Sequence, residues 1–215
     1  MDLFQLKWKE FYLTNFFIFE KGKDSSPTEY EIKLGKGINC AIAKNNNSGF
    51  VGKKINPTKI YHGDKLLIVA QGDGGAGLAF FADGDFCANK CVWVGTPKFS
   101  EFNKYVGLFL ATIISKLKTK FNHSKGINEK MLNLIKISLP VNDNEEPDWK
   151  FMEKYISDIY IYIWTIWKNW KDIIIKIFVL KNEKILIFLL LKFIRQKIHS
   201  IKIKLIMSAK NYLIM

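Results

Sequence analysis

All fourteen glycines of this 215-residue chain lie at or before Gly126, and all five prolines at or before Pro147. Glycine and proline punctuate a chain into short elements joined by turns, so their distribution divides the sequence into two textures. Residues 1–147 are short apolar runs broken by turn clusters and form one expected domain. Residues 148–215 contain no strong breaker, and the simplest structure for them is a helical extension starting near Asp148. With 48% hydrophobic residues the chain can bury a core.

Within the first part, Phe16-Phe17-Ile18-Phe19, Gly37 to Ala43, Lys65 to Ala70, Leu78 to Phe81 and Cys91 to Val94 have strand length and strand composition. Between them lie turn clusters at Lys21 to Pro27, Asn45 to Gly49 and Gln71 to Gly77. From Ser100 to Lys118 the period changes. Phe102, Val106, Phe109, Leu110, Ile113, Ile114 and Leu117 recur at steps of three and four, which predicts a helix with Ser100 as N-cap and Glu101 in its first turn. Asn122 to Gly126 ends it, and Leu134 to Pro140 reads as a strand stopped by proline. The expected fold class is mixed α/β: a sheet-rich domain with a helix near 100–118, followed by a C-terminal helical extension. Beyond Ile159 the pattern is less regular. Tyr160 to Trp167 alternates as a strand does, and Lys184 to Leu191 is apolar on every side. No uncharged run approaches the roughly 18–20 residues of a membrane span, so a membrane is not an expected partner. Interfacial binding of this basic apolar tail and out-of-frame translation of A+T-rich DNA both stay open as readings of it.

The chain carries a net charge of +13, divided as +5 over residues 1–150 and +8 over 151–215. Such an excess points to a polyanion, either nucleic acid or an acidic membrane surface. Arg195 is the only arginine, and A+T-rich codon usage accounts for part of the lysine content. Cys40, Cys87 and Cys91 are too few for a disulfide framework and read as reduced thiols of a cytoplasmic protein. The start, Met1 to Trp8, has no signal-peptide pattern, so secretion is not expected.

Catalytic signatures are weak. The cluster Gly72-Asp73-Gly74-Gly75-Ala76-Gly77 has no following Gly-Lys-Ser/Thr and precedes a strand rather than a helix, so it reads as a tight connection and not a phosphate loop. Cys87 and Cys91 lack a second ligand pair; no metal and no cofactor are expected. Pro147-Asp148 has no Asp/Glu-x-Lys after it, the sequence Glu31-Ile32-Lys33 lying upstream. Neither the Asn/Asp-Pro-Pro-aromatic loop of base methylation nor a Gly-x-Ser-x-Gly elbow is present. Binding chemistry is better represented. Lys44-Asn45-Asn46-Asn47 followed by Lys53 and Lys54 combines amides, which pair with adenine, with lysines that reach guanine or phosphate. Lys116, Lys118, Lys120 and Lys125 make a second basic run across the expected helix end. A solvated surface is the alternative for either run alone.

One segment resembles a known family. Ile137-Ser138-Leu139-Pro140-Val141, an acidic spacer Asn142 to Glu146, and then Pro147-Asp148-Trp149-Lys150-Phe151-Met152-Glu153 resemble the close of a target recognition domain in specificity subunits of type I restriction–modification systems. Type IIB and IIG enzymes carry similar domains. Upstream, Trp8-Lys9-Glu10-Phe11, Phe19 to Lys23, Asn45 to Gly52, Gly72 to Phe81 with Phe86, Asn103-Lys104-Tyr105 and the loop Lys118 to Lys125 fit in order, so the likeness covers about Leu6 to Asp158. The resemblance implies a non-catalytic domain that reads one half of a bipartite site in double-stranded DNA, with methyltransferase (modification) and restriction subunits as partners. It also implies a helix started by Pro147-Asp148 and pinned by Trp149, Phe151 and Met152, which continues as a spacer. The chain departs from the pattern in having one recognition domain and a tail without polar heptads. It is therefore expected to be a half-subunit, working with a second copy of itself, or a fragment. The rival readings are a piece of a fused restriction–methyltransferase enzyme and a basic membrane-surface protein.

Overall fold

The run Lys65-Leu66-Leu67-Ile68-Val69 has no polar face, and its position explains why. It forms β5 (Lys65–Val69), whose last four residues are at most 1% exposed, because both faces of the strand are covered. The computed structural model describes residues 6–44, 49–72, 75–120 and 126–179, with the backbone alone at Lys120 and over 172–179. In it β5 lies between β8 (Val92–Pro97) and β6 (Ala79–Ala82), both antiparallel to it, and β2 (Phe17–Lys21) completes a four-stranded sheet beyond β8. Leu66 and Ile68 point into a cluster with Val106, Leu110 and Ile114 of α2 (Lys104–Ser115). Leu67, with Val92 and Val94, points the other way, toward Ala41, Tyr61, Phe86 and Ala88. That second face is covered by a three-stranded sheet in the order β4 (Phe50–Lys54), β3 (Ile38–Ala41), β7 (Phe86–Ala88), with β3 antiparallel to β4 and parallel to β7. The result is three layers: helix, sheet and sheet.

The apolar face read from the sequence is the face α2 buries, but the helix starts later than expected. Asn103 caps it, its Oδ1 accepting from the Tyr105 and Val106 amides at 2.9 and 3.1 Å. Ser100 instead donates its hydroxyl to Glu101. Phe102, packed edge-on to Phe17 and Phe99, fixes the chain just before the cap and leaves no room for an earlier turn. Two further corrections concern elements near the loops. Phe50 to Lys54, given no strand in the sequence reading, is strand β4. Leu134, read as strand, ends a short helix α3 (Glu129–Leu134) capped by Asn128, and the strand β9 is Lys136–Pro140.

β9 pairs antiparallel with β1 (Trp8–Tyr12), so the first and last strands of the unit form a separate ribbon. Asp148 then starts α4 (Trp149–Val179) by accepting the Phe151 amide at 2.9 Å. Its first turns are anchored as the resemblance implies. Trp149 stacks on Phe99 at 4.3 Å and meets Phe16 edge-on at 5.2 Å, while Met152 is fully buried.

The chain divides into two compact units, Met1–Ile159 and Tyr160–Met215. In the second, Tyr160 to Trp167 is helical rather than extended. With no glycine or proline after the cap, nothing stops helix propagation, and the two-residue alternation has no partner strand. Tyr160, Ile161, Tyr162, Ile163, Trp164 and Trp167 are exposed. Lys168 lies over the Trp164 ring at 5.3 Å and Lys171 over Trp167 at 5.5 Å. Among the described residues no helix is long and apolar enough to cross a membrane. Lys184 to Leu191, with the readings of the tail that depend on it, lies outside the described residues.

Met152→Ala is expected to destabilise the protein by about 2–5 kcal/mol, since it opens a cavity where helix and domain meet. Trp164→Ala should change stability by less than about 0.5 kcal/mol. Urea unfolding followed by circular dichroism compares them; equal effects would mean that the start of α4 is not anchored through Met152.

Candidate nucleic-acid interface

Three stretches that the sequence keeps far apart meet at one end of the sheets. β5 runs out at Val69, and Ala70 is held from two sides: its amide donates to the Cys91 carbonyl at 2.8 Å, and its carbonyl accepts from Ile127 at 2.7 Å. The Ile127 carbonyl in turn accepts the indole of Trp93 at 2.8 Å. The chain that follows α2 is thereby returned to the end of β5. Ser115, at the last turn of α2, accepts from the Ala79 amide and donates to the Ala79 carbonyl, at 2.9 and 3.2 Å. This fixes the start of β6 beneath the 3₁₀ turn Lys116–Lys120.

The glycine cluster fills the space between. It joins β5 to β6, as the sequence implies. Gly77 has φ 86°, and a Cβ there would lie 2.9 Å from the Lys118 amide nitrogen. Gly72 packs equally closely on Ala43, next to Lys44. The glycines thus let the loop enter between the chain at Lys44 and the turn at Lys118.

The structure therefore brings Lys44, Lys116 and Lys118 to one end of the sheets. Lys44 is exposed; Lys116 and Lys118 are half-buried, and burial pushes the Lys116 ammonium below its ordinary range. The backbone of Lys120 continues the same turn. Asn45, Asn46, Asn47 and Lys125 lie outside the described residues; their described neighbours, Lys44, Gly49 and Gly126, stand at this end. Exposed Lys90 also belongs here, in the turn between β7 and β8, where its amide donates to the Asp24 carbonyl at 3.2 Å. The sequence reading missed it because a single lysine in a short turn forms no run. Lys53 and Lys54 are not brought into this group. They lie at the far end of β4, paired with Asn39 and Ile38.

Lys54 has a structural setting. Its ammonium is 3.9 Å from Glu31 and donates to Ser25 at 3.1 Å. Glu31 belongs to α1 (Glu29–Leu34), where it forms a capping box with Thr28. It accepts the Thr28 and Ile55 amides at 2.8 and 2.9 Å and the Thr28 hydroxyl at 3.0 Å. Those amides, with the hydroxyl and Lys54, hold its carboxyl below the ordinary carboxylate range. At the opposite end of the β5–β6 pair from the glycine cluster lie exposed Asp64, Asp83 and Asp85, the last 3.2 Å from His62. Asp64, Asp83 and Asp85 thus lie away from the lysines around the glycine loop, at the end of β5 and β6 where Lys65 also stands.

The three cysteines are free thiols. Cys40 and Cys87 are fully buried register partners on β3 and β7, and Cys91 is half-buried.

Residues 5–161 match the family described as the type I restriction modification DNA specificity domain, and the chain belongs to that family. Over 143 residues it is 29% identical to the Type II restriction enzyme BgcI specificity subunit S.BcgI of Heyndrickxia coagulans, a stretch covering 60% of this chain and 41% of that protein. Its fold is similar to that of the type I restriction-modification system S subunit from M. genitalium, with a TM-score of 0.51 and 18% identity over 78% of this chain and 42% of the other. A chain from structural work on complex assembly and conformational transition of the type I R-M system gives a TM-score of 0.51 and 16% identity, over 74% of this chain and 40% of that one. The chain therefore spans about two-fifths of the length of these relatives.

Two outcomes follow for this region. Gly77→Ala should force the glycine loop away from Lys118, because the obstacle is backbone and φ is positive, costing about 1–3 kcal/mol; an unfolding midpoint equal to that of the parent would show that the two do not pack. Glu31 is held ionised, so its stabilisation is present above the ordinary carboxylate range and is lost as pH falls through its depressed value. Stability measured from about pH 6 downward should therefore fall more steeply in the parent than in Glu31→Gln. Parallel curves would remove Glu31 as a contributor.

Proposed function

We propose that this chain reads one half of a bipartite sequence in double-stranded DNA and that it does so without catalysing a reaction. Methyl transfer and cleavage would belong to methyltransferase (modification) and restriction subunits that it directs to the site, and a second copy of the chain would supply the other half-site. In this reading residues 1–147 are the recognition domain and 148–215 the extension that spaces it from its partners, and the complex works in the cytoplasm. The observation that carries the reading is the convergence of Lys44, Lys90, Lys116 and Lys118 around one glycine-lined loop end, away from Asp64, Asp83 and Asp85. Family membership supports it independently.

Lysines at such an end contact phosphates and fix the register of the domain on the duplex, while amide groups read base edges. The proposed contact set is Lys44, Asn45, Asn46, Asn47, Lys118, Lys120 and Lys125, joined by Lys90; Lys53, at the far end of β4, falls outside it. Lys116, whose charged form burial disfavours, contributes less, and Lys54 serves the fold through Glu31 and Ser25.

Titration of the full chain with duplex DNA, in the presence of the methyltransferase subunit, tests this at several salt concentrations. Each phosphate-bound lysine contributes about one unit to the slope of log affinity against log salt. Lys44→Ala/Lys90→Ala/Lys118→Ala should reduce that slope by roughly three units and weaken binding to all sequences alike. Unchanged affinity and slope would move the interface elsewhere.

A further inference from the structure

We propose that Gln71 is a base-reading residue of this interface and that its amide recognises adenine through the major-groove edge. The inference rests on the DNA-reading function proposed above and names a specificity determinant within it.

Gln71 is exposed and follows directly on the most firmly held residue of the loop end. The Ala70 amide and carbonyl are both hydrogen-bonded, to Cys91 and Ile127, and the Val69 carbonyl accepts from Gly77 at 3.0 Å. A side chain issuing from so restrained a backbone is presented in a fixed place, as specific hydrogen bonding requires. The residues around it are small. A Cβ on Gly126 would lie 3.0 Å from the Ala70 carbonyl oxygen and 3.2 Å from the Gln71 Cβ, and one on Gly72 would lie 2.7 Å from the Ala43 Cβ. Ala43, Gly72 and Gly126 therefore form a low surface from which Gln71 stands out. Lys44 continues the chain from Ala43 on one side, and Lys118 backs Gly77 on the other. Cations flanking a neutral amide on a low surface match the layout of a groove edge bordered by two phosphate strands.

The Asn89 and Ser115 side chains near it are already committed. Asn89 uses its amide nitrogen on Ser26 and its carbonyl oxygen on the Cys91 amide, and Ser115 uses its hydroxyl on Ala79. Among the described residues the amide of Gln71 donates to the Cys91 sulfur alone, at 3.5 Å, and sulfur is a weak acceptor that is exchanged at little cost. A carboxamide offers one donor and one acceptor side by side. Adenine presents the matching pair, N7 and N6–H₂, whereas guanine presents two acceptors in the same groove. The chemistry therefore selects adenine.

The test is selection of bound duplexes from a randomised pool by the full chain, with the methyltransferase subunit present in every arm. The parent is expected to select a motif containing an adenine. Gln71→Ala should keep the other positions and lose that one, with discrimination there falling about 5- to 150-fold. Gln71→Asn, one methylene shorter, should fall between, and Lys118→Ala should keep the motif with uniformly weaker binding. A Gln71→Ala protein that selects the parent motif with undiminished discrimination overturns the proposal. So does one that loses every position, since Gln71 would then organise the loop rather than read a base. A parent that selects no motif removes the DNA-reading function itself, and this inference with it.

Discussion

Ile127 is the residue on which the arrangement of the candidate site depends. Its amide is bonded to Ala70, its carbonyl to the Trp93 indole, and its side chain is 2% exposed in the main core. The two hydrogen bonds reach the ends of neighbouring strands, β5 and β8, so Ile127 ties the chain between α2 and α3 to the sheet and not merely to a loop. A buried Trp N–H or amide without a partner costs about 1–3 kcal/mol, so each bond is enforced from both sides. Without this clamp the basic turn after α2 would be tied to the glycine loop only through the Ser115 contact to Ala79 and the close packing of Gly77 on Lys118. With it, the chain at Lys44, the glycine loop and the turn after α2, all distant in sequence, become one surface.

The charge pattern follows the same logic. Several acidic residues pair with lysines away from the glycine-loop end: Glu20 with Lys59, Glu31 with Lys54, Glu10 with Lys136, and Glu145 with Lys7 and Lys9. The Lys7 and Lys9 ammoniums hold the Glu145 carboxyl down to about 2 and join the spacer before α4 to β1. Among the described residues none of Lys44, Lys90 and Lys118 is ion-paired. These three lysines therefore keep their charge available at the glycine-loop end. Net charge alone says nothing about such placement; pairing does.

How much of this was legible depends on whether a signal was local. β5 and the apolar face of α2 could be read because burial on two faces, and on one helical stripe, leaves a direct trace in residue order. The start of α4 was readable through Pro147-Asp148 and the bulky Trp149 and Met152, which carry a cap and an anchor in adjacent positions. α1 had a readable signal that went unused: Thr28-Glu29-Tyr30-Glu31 is a capping box, yet its helix is one and a half turns long and gives no periodicity. β4 was hidden because Phe50-Val51-Gly52-Lys53-Lys54 shows no alternation, all five residues being half-buried, and its pairing with β3 shifts register between Asn39 and Ala41. The separation of Lys53 and Lys54 from Lys44 follows from that strand. Lys90 and Gln71 could not be found from composition, because their position is set by hydrogen bonds to Asp24, Cys91 and Ile127, all distant in sequence.

In the proposed function these features also bear on how a domain without arginine, Arg195 lying in the extension, discriminates sequences. Lysine is a flexible point charge. It gains affinity from counterion release, but its long side chain fixes little geometry and reads little sequence. Discrimination must then come from short groups on backbone that does not move, because the angular tolerance of paired hydrogen bonds is small. The loop end meets that requirement through its connections. Two strand ends, one helix end and one indole hold it, and glycines remove the side chains that would keep a base edge away. The same glycines would otherwise make the loop floppy, since each loses more backbone freedom on ordering than any other residue. The clamp at Ala70 and Ile127 offsets that cost during folding. In the proposed function, DNA binding then does not have to order the described part of the loop, and more of the contact energy remains to distinguish one sequence from another.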